Sequence, residues 1–272
     1  MNKNCLLIDT GSTHSQGRKI DLLLEENKLH PKYIINTHNH IDHCGGNNYF
    51  TDKYPGCLVY TSEQEKVFME YPEIYQAILA SAISTINMEK GNKGLKVDFT
   101  LEYGTNKINE DKFEVLELKG HSIENIGITT WDKVCFLGDS IFSDKIMEKY
   151  GLPNLLNVQA ALDSLNKMKD FTWDFYVLSH CDSVLEQAEF NTLIDSNIEN
   201  INKYIGQIIV LLESPLTREE LLENMIVLNE FSLNIHQYNL YSSSLSAFLI
   251  YLSSKGDIKS TLENGKVYYY SK

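Results

Sequence analysis

Thr37-His38-Asn39-His40-Ile41-Asp42-His43 places four side chains able to bind metal, His38, His40, Asp42 and His43, within six positions. Three shorter clusters follow: Gly120-His121-Ser122, Gly138-Asp139-Ser140 and Ser179-His180-Cys181-Asp182. Five of the chain's eight histidines fall in these segments. Imidazole and carboxylate are the ligands zinc prefers, with iron and manganese as further choices. Crowding four such groups into one short loop is costly unless a cation neutralises them, so the run reads as a metal site. Seven candidate ligands (His38, His40, Asp42, His43, His121, Asp139 and His180) exceed what one tetrahedral ion takes and point to two divalent ions.

The surrounding pattern puts each cluster just past a strand. Leu6-Leu7-Ile8 runs into the turn Asp9-Thr10-Gly11, and Tyr33-Ile34-Ile35-Asn36 delivers His38 and His40. Gly45-Gly46-Asn47 lets the backbone pack closely before a helix. Leu58 to Thr61 reads as another strand, and Phe113 to Leu118, alternating apolar and acidic, delivers His121. A strand pair, Ile126 to Thr130 and Lys133 to Leu137, leads to Asp139, and Phe175 to Leu178 leads to His180. Ile20 to Asn27 reads as a helix, with Asp21, Glu25 and Glu26 set around Leu22, Leu23 and Leu24. Loops at the ends of rigid strands are where chemistry is carried.

Composition narrows the class. The 272 residues suit one large domain, or a domain with a small appendage. No apolar run reaches the roughly 18 residues that span a bilayer. Residues Met1 to Asp9 leave no room for a secretory apolar region. The five cysteines, at 5, 44, 57, 135 and 181, form no C-x-x-C pair. An odd, dispersed set suits a reducing compartment, and the expectation is a cytoplasmic protein. A net charge of -13 repels a phosphate backbone and argues weakly against nucleic acid as a partner.

The H-x-H-x-D-H run with His121, Asp139 and His180 behind it resembles the metallo-β-lactamase superfamily over roughly residues 5 to 182. That resemblance implies an α+β fold, an αββα sandwich with the metals at one edge of its sheets. It implies that His38, His40 and His121 hold one metal, that Asp42, His43 and His180 hold the second, and that Asp139 bridges them. It gives Asp9 a supporting role behind the ligands. A histidine at 121 followed by an aspartate at 139 is similar to glyoxalase II and related hydrolases. Lactamases with a cysteine at the bridging position match less well. Cys44 and Cys181 stand near the clusters but occupy no ligand position, and read as small buried or supporting residues. His14, His30 and His236 read as ordinary structural or surface histidines.

Two features depart from the family pattern. Only about eight residues precede the Asp9-Thr10-Gly11 element, so the strand hairpin that usually walls the site is shortened. Residues 63–95 form a helical insertion in which Phe68, Tyr71, Tyr75, Ile78, Leu79, Ala82, Ile83 and Ile86 recur at helical spacing. Such a stripe fits core or a homodimer face, and it also fits a lid over an apolar substrate pocket.

The tail changes character. The expected division is a catalytic domain over 1–204 and a small appendage over 205–272. Thr217 with Glu220 makes a capping box, a second helix runs from about Tyr241 to Ser254, and Asn264-Gly265 turns a hairpin. Helix, helix, hairpin resembles the winged-helix appendage of some superfamily members. It carries five basic residues against seven acidic ones, which favours packing on protein over binding nucleic acid.

Two metals roughly 3.5–4 Å apart hold and acidify a water, giving a hydroxide that attacks an electrophilic carbonyl or phosphorus. Asp42 and Asp139 are the carboxylates expected to serve that step. A small ester or thioester, the leading substrate class, needs little help for its leaving group. The alternative is a phosphodiesterase or ribonuclease. A third reading, a di-iron redox or sensing protein, would pair with a flavin domain that nothing in the chain resembles.

Overall fold

The computed structural model describes residues 3–80 and 94–272. The chain divides into two compact units, one of residues up to Leu118 with Ser122–Asp139, the other of Lys119–His121 with Ser140–Lys272. Among the described residues, no helix is long and apolar enough to cross a membrane.

The first unit runs β1 (Lys3–Ile8), α1 (His14–Glu26), β2 (Leu29–Ile35), α2 (Ile41–Cys44), α3 (Asn47–Lys53), β3 (Leu58–Thr61), α4 (Glu63–Glu70), α5 (Pro72–Ala80), β4 (Phe99–Thr100), β5 (Gly104–Ile108), β6 (Asp111–Glu117), β7 (Ile126–Thr130) and β8 (Val134–Phe136). Strands β1, β2, β3 and β4 form a parallel sheet in that order. Strands β5 to β8 pair antiparallel in sequence order. The period of two along β1 and β2 sorts side chains to two cores. Cys5, Leu7 and Ile34 join Leu24, Phe50, Val59 and Met69 under the helices. Leu6, Ile8, Tyr33 and Ile35 meet Phe113, Val115, Ile126 and Ile128 of the antiparallel strands. A parallel strand covered on both faces reads as a continuous apolar run, as residues 33–35 do.

Helix α1 buries a different face from the one its leucines suggest. Gly17, Asp21 and Leu24 are buried, while Leu22 and Leu23 are exposed. The reason is polar: Asp21 accepts hydrogen bonds from Tyr49 Oη at 2.7 Å and Tyr54 Oη at 2.5 Å, and pairs with Lys53. A buried carboxylate so surrounded is tolerated. His14 and His30 pack edge-on against Tyr49 and Tyr54, as structural histidines.

Among the described residues, the helical insertion expected over 63–95 begins as a broken pair of helices. Helix α4 ends at Glu70 with Tyr71 as its C-cap, and α5 begins at Pro72, whose missing N–H suits a first helical position. Phe68 and Met69 are buried, whereas Tyr71 and Ile78 are exposed. Ala82, Ile83 and Ile86 lie outside the described residues, as does the side chain of Leu79.

The second unit runs α6 (Asp144–Tyr150), α7 (Val158–Met168), β9 (Phe175–Val177), α8 (Gln187–Leu211), α9 (Arg218–Leu228), α10 (Ile235–Lys255), β10 (Ile258–Glu263) and β11 (Lys266–Ser271). Helix α8 continues unbroken through 204 and 205, because Ile201, Tyr204 and Ile208 extend one buried face. Beyond it the capping box at Thr217 and Glu220 is formed, and Asn264 and Gly265, with φ of 50° and 79°, turn the β10–β11 hairpin. Leu216 pairs with Tyr269 and so ties the start of α9 to that hairpin.

Gly45 and Gly46 let the loop after β1 rest on the metal-motif helix. A Cβ on Gly45 would lie 2.1 Å from Ser12 O, and one on Gly46 2.3 Å from Thr10 O. Gly206, in the middle of α8, has nothing near its missing Cβ. Urea denaturation of the two alanine variants should therefore move in opposite directions. Gly45→Ala is expected to lose about 2–3 kcal/mol to overpacking, and Gly206→Ala to gain about 0.5–1 kcal/mol from a lower chain entropy cost. Equal effects would mean that Gly45 is not a packing constraint.

Candidate metal centre

Strand β2 ends at Ile35, and the chain then turns through Asn36 and Thr37 into the ligand loop, of which Ile41–Cys44 forms the short helix α2. Asp9, in the left-handed region at φ 61°, stands at the matching end of β1. Its Oδ1 accepts from the Thr37 backbone N–H at 2.8 Å, and its Oδ2 accepts from Thr37 Oγ1 at 2.8 Å. Oδ2 also accepts from His43 Nδ1 at 2.8 Å. Holding a non-glycine residue at this φ costs free energy, and such positions gather at functional sites.

This bonding fixes which ring nitrogens face a cation. Thr37 has one hydroxyl proton and gives it to Asp9, so its oxygen accepts from His38 Nδ1, 3.0 Å away. His38 and His43 both commit Nδ1–H to this network, so Nε2 is the nitrogen of each ring that could ligate a metal. His38, His43 and Asp139 each present one ligand atom within 4.8 Å of the others, and all three are buried. His43 Nε2 lies 3.4 Å from Asp139 Oδ1 and 3.8 Å from Asp42 Oδ2. The His38 ring centroid is 4.6 Å from that of His40 and 4.0 Å from that of His43. The first unit thus brings together five of the seven expected ligands: His38, His40, Asp42, His43 and Asp139.

The electrostatics fit a cation. Burial opposes charge on His43, yet the carboxylates of Asp9 and Asp139 outweigh it and push its pKa up to about 11. His38 and His43 with Asp139, and Asp42 beside His43, offer the mixed nitrogen and oxygen donors that zinc can take, and the orientation of Nε2 suits it.

The remaining two expected ligands lie in the second unit. His121 follows Gly120, whose φ of 131° and contact with α7, a missing Cβ only 2.4 Å from Ala161 N, admit no other residue without strain. Leu156 and Asn157 donate their N–H groups to Gly120 O. His121 Nδ1 donates to Asn154 O at 2.8 Å, so in this ring too Nε2 is the nitrogen that could ligate a metal. His180, beyond β9, adopts φ 53°, and Ser143 Oγ donates to its carbonyl at 3.3 Å.

Several residues stand around the expected ligands, and of these Glu65 carries no signal in the sequence. Glu65, in the first turn of α4, is fully buried and accepts four hydrogen bonds: from Asn39 N at 2.9 Å, Asn39 Nδ2, Ser122 Oγ at 2.5 Å and Glu124 N at 2.8 Å. Burial raises its pKa, against the pull of those donors. Tyr75 on α5 lays its ring 5.1 Å from that of His40. Cys44 is buried, with Sγ 3.3 Å from both Asn39 O and His40 O, a supporting position as expected, and burial pushes its thiol pKa up. Cys181 is half-buried, with Sγ 3.9 Å from Ser183 Oγ.

Known proteins share both a family pattern and the fold. The metallo-beta-lactamase superfamily pattern matches residues 2–180. A hydroxyacylglutathione hydrolase of Prochlorococcus marinus is 26% identical over 144 residues, which cover 52% of this chain and 47% of that one. Hydroxyacylglutathione hydrolase 1 of Vibrio vulnificus is 29% identical over 200 residues, 74% of this chain and 66% of that one. The chain thus spans about half the length of the first of these relatives and just under two thirds of the second. Among solved structures, a metallo-beta-lactamase family protein from Thermus thermophilus matches with TM-score 0.73 at 19% identity, covering 97% of this chain and 89% of that one. A beta-lactamase domain protein from Burkholderia ambifaria matches with TM-score 0.73 at 18% identity, covering 98% and 82%. These structures carry the fold, α+β as the sequence suggested, and the family pattern over residues 2–180 carries the ancestry. The chain belongs to the metallo-β-lactamase superfamily.

Proposed function

We propose that this chain is a dinuclear metal-dependent hydrolase of a small thioester or ester. The observation that carries the reading is the buried group of His38, His43 and Asp139, with the two imidazoles held Nε2-inward by the Asp9–Thr37 network. The names of the relatives support the substrate class, since a hydroxyacylglutathione is a thioester. In this reading His38, His40 and His121 hold one ion, Asp42, His43 and His180 hold the other, and Asp139 bridges. Zinc is the first choice, and iron or manganese are the alternatives. The catalytic portion is residues 1–204, and the helices and hairpin beyond form its appendage.

Two bound cations would acidify a shared water and polarise the acyl carbonyl. The chain's own part is placement. Asp9 and Thr37 fix the tautomers of His38 and His43, and Asn154 O fixes that of His121. Asp42 would orient the attacking water by accepting a hydrogen bond from it. A thiolate leaves without a proton donor, which suits a site where no further histidine is assigned that task.

Hydrolysis of a hydroxyacylglutathione thioester should be abolished by chelator and restored by Zn²⁺ or Mn²⁺. Asp139→Asn should lower turnover by at least about 10²-fold, since it weakens the hold on both ions. Near-wild-type turnover would refute the bridging role. Metal-dependent cleavage of single-stranded RNA with no esterase activity would replace the thioester reading with the nuclease one.

Asp9→Asn leaves the packing volume intact but removes one of the acceptors that Thr37 and His43 share. Chelator competition should show a loss of about 10- to 100-fold in metal affinity. An unchanged affinity would mean that the ligands are oriented without Asp9.

A further inference from the structure

Helix α4 begins the segment that the sequence marks as an insertion, but its first turn is built into the ligand loops. Glu65 Oε2 receives both the backbone N–H and the side-chain amide of Asn39, the residue between His38 and His40. Glu65 Oε1 receives Ser122 Oγ and Glu124 N, in the segment that directly follows His121. The clamp is reciprocal. Glu124 Oε2 accepts from Gln64 N at 2.8 Å, its Oε1 accepts from Tyr103 Oη at 2.9 Å, and Ser62 Oγ donates to its carbonyl. A buried carboxylate with four donors is stable only while all four stay in place, so it fixes the spacing of the groups that donate.

The geometry points to Glu65 as a positioning residue for one metal position, the one assigned to His38, His40 and His121. It sets the loop carrying His38 and His40 and the start of the segment beyond His121 against one rigid helix turn. This inference rests on the dinuclear reading above. It separates Glu65 from residues that merely stabilise the fold: its four donors flank His38, His40 and His121, so the position assigned to Asp42, His43 and His180 should be spared. Glutamine cannot substitute. Turned toward Asn39, its amide group would face two donors. Turned toward Ser122, it would face the Glu124 N–H.

The test is a stepwise Co²⁺ titration of the full chain followed by absorption, with Zn²⁺ competition against a chelator. His40→Ala marks the band of the first position and His180→Ala that of the second. Glu65→Gln should weaken the first position by about 10-fold or more, the range seen for groups behind metal ligands, and leave the second within about 3-fold. Ser122→Ala removes one donor without changing the carboxylate. It should weaken the same position by a smaller factor, and it decides the matter if Glu65→Gln fails to fold. Wild-type affinity at both positions, or an equal loss at both in folded protein, would overturn the inference. Wild-type protein that takes up fewer than two Co²⁺ ions would instead overturn the dinuclear reading itself.

Discussion

The Asp9 carboxylate is the joint on which the rest depends. Two parallel strands end side by side, and one side chain at the end of β1 receives the backbone, the hydroxyl and the imidazole of three groups beyond β2. The chain accepts a left-handed backbone at Asp9 to achieve this. That conformation is tolerated because the parallel sheet is covered on both faces and the surrounding structure holds the end of β1 in place. The surrounding polar groups are paired too: Asn47 Nδ2 donates to Asn36 Oδ1, Asn36 Nδ2 to His43 O, and Thr10 Oγ1 to Asn47 Oδ1. A low-dielectric interior strengthens each of these bonds and penalises any that fails.

From that joint the charge balance of the site follows. Asp9, Asp139 and Asp42 surround His43, so the interior favours positive charge where imidazoles alone would avoid it. Such an arrangement is costly to maintain for packing alone, since apolar residues of equal volume would serve better. It makes physical sense around a divalent cation, which replaces the imidazolium as the positive partner and requires a neutral ring with its lone pair turned inward.

The ligand loop was legible because metal chemistry crowds its side chains into one short stretch, and its strand context was legible because residues 33–35 and 113–118 carry the period of a strand. The hairpin at Asn264-Gly265 and the capping box at Thr217 were equally plain, since both are local chemistry. Glu65 was not legible. A glutamate in the first turn of a helix reads as a solvated charge favoured by the helix dipole, and only the tertiary fold buries it against Asn39 and Ser122. Asp21 escaped for the same reason, and with it the buried face of α1. The apolar stripe expected across 63–95 breaks at Pro72, where α4 with Phe68 and Met69 turns inward and α5 brings Tyr75 against His40.

In the proposed reading a cation pair, rather than a single ion, organises these side chains. Elemental analysis of protein purified without added metal, repeated after zinc loading and removal of free ion, tests it most directly. Two ions per folded chain are expected after loading, falling toward one in His180→Ala. A stoichiometry that stays at one or below in zinc-replete, folded wild-type protein would contradict it.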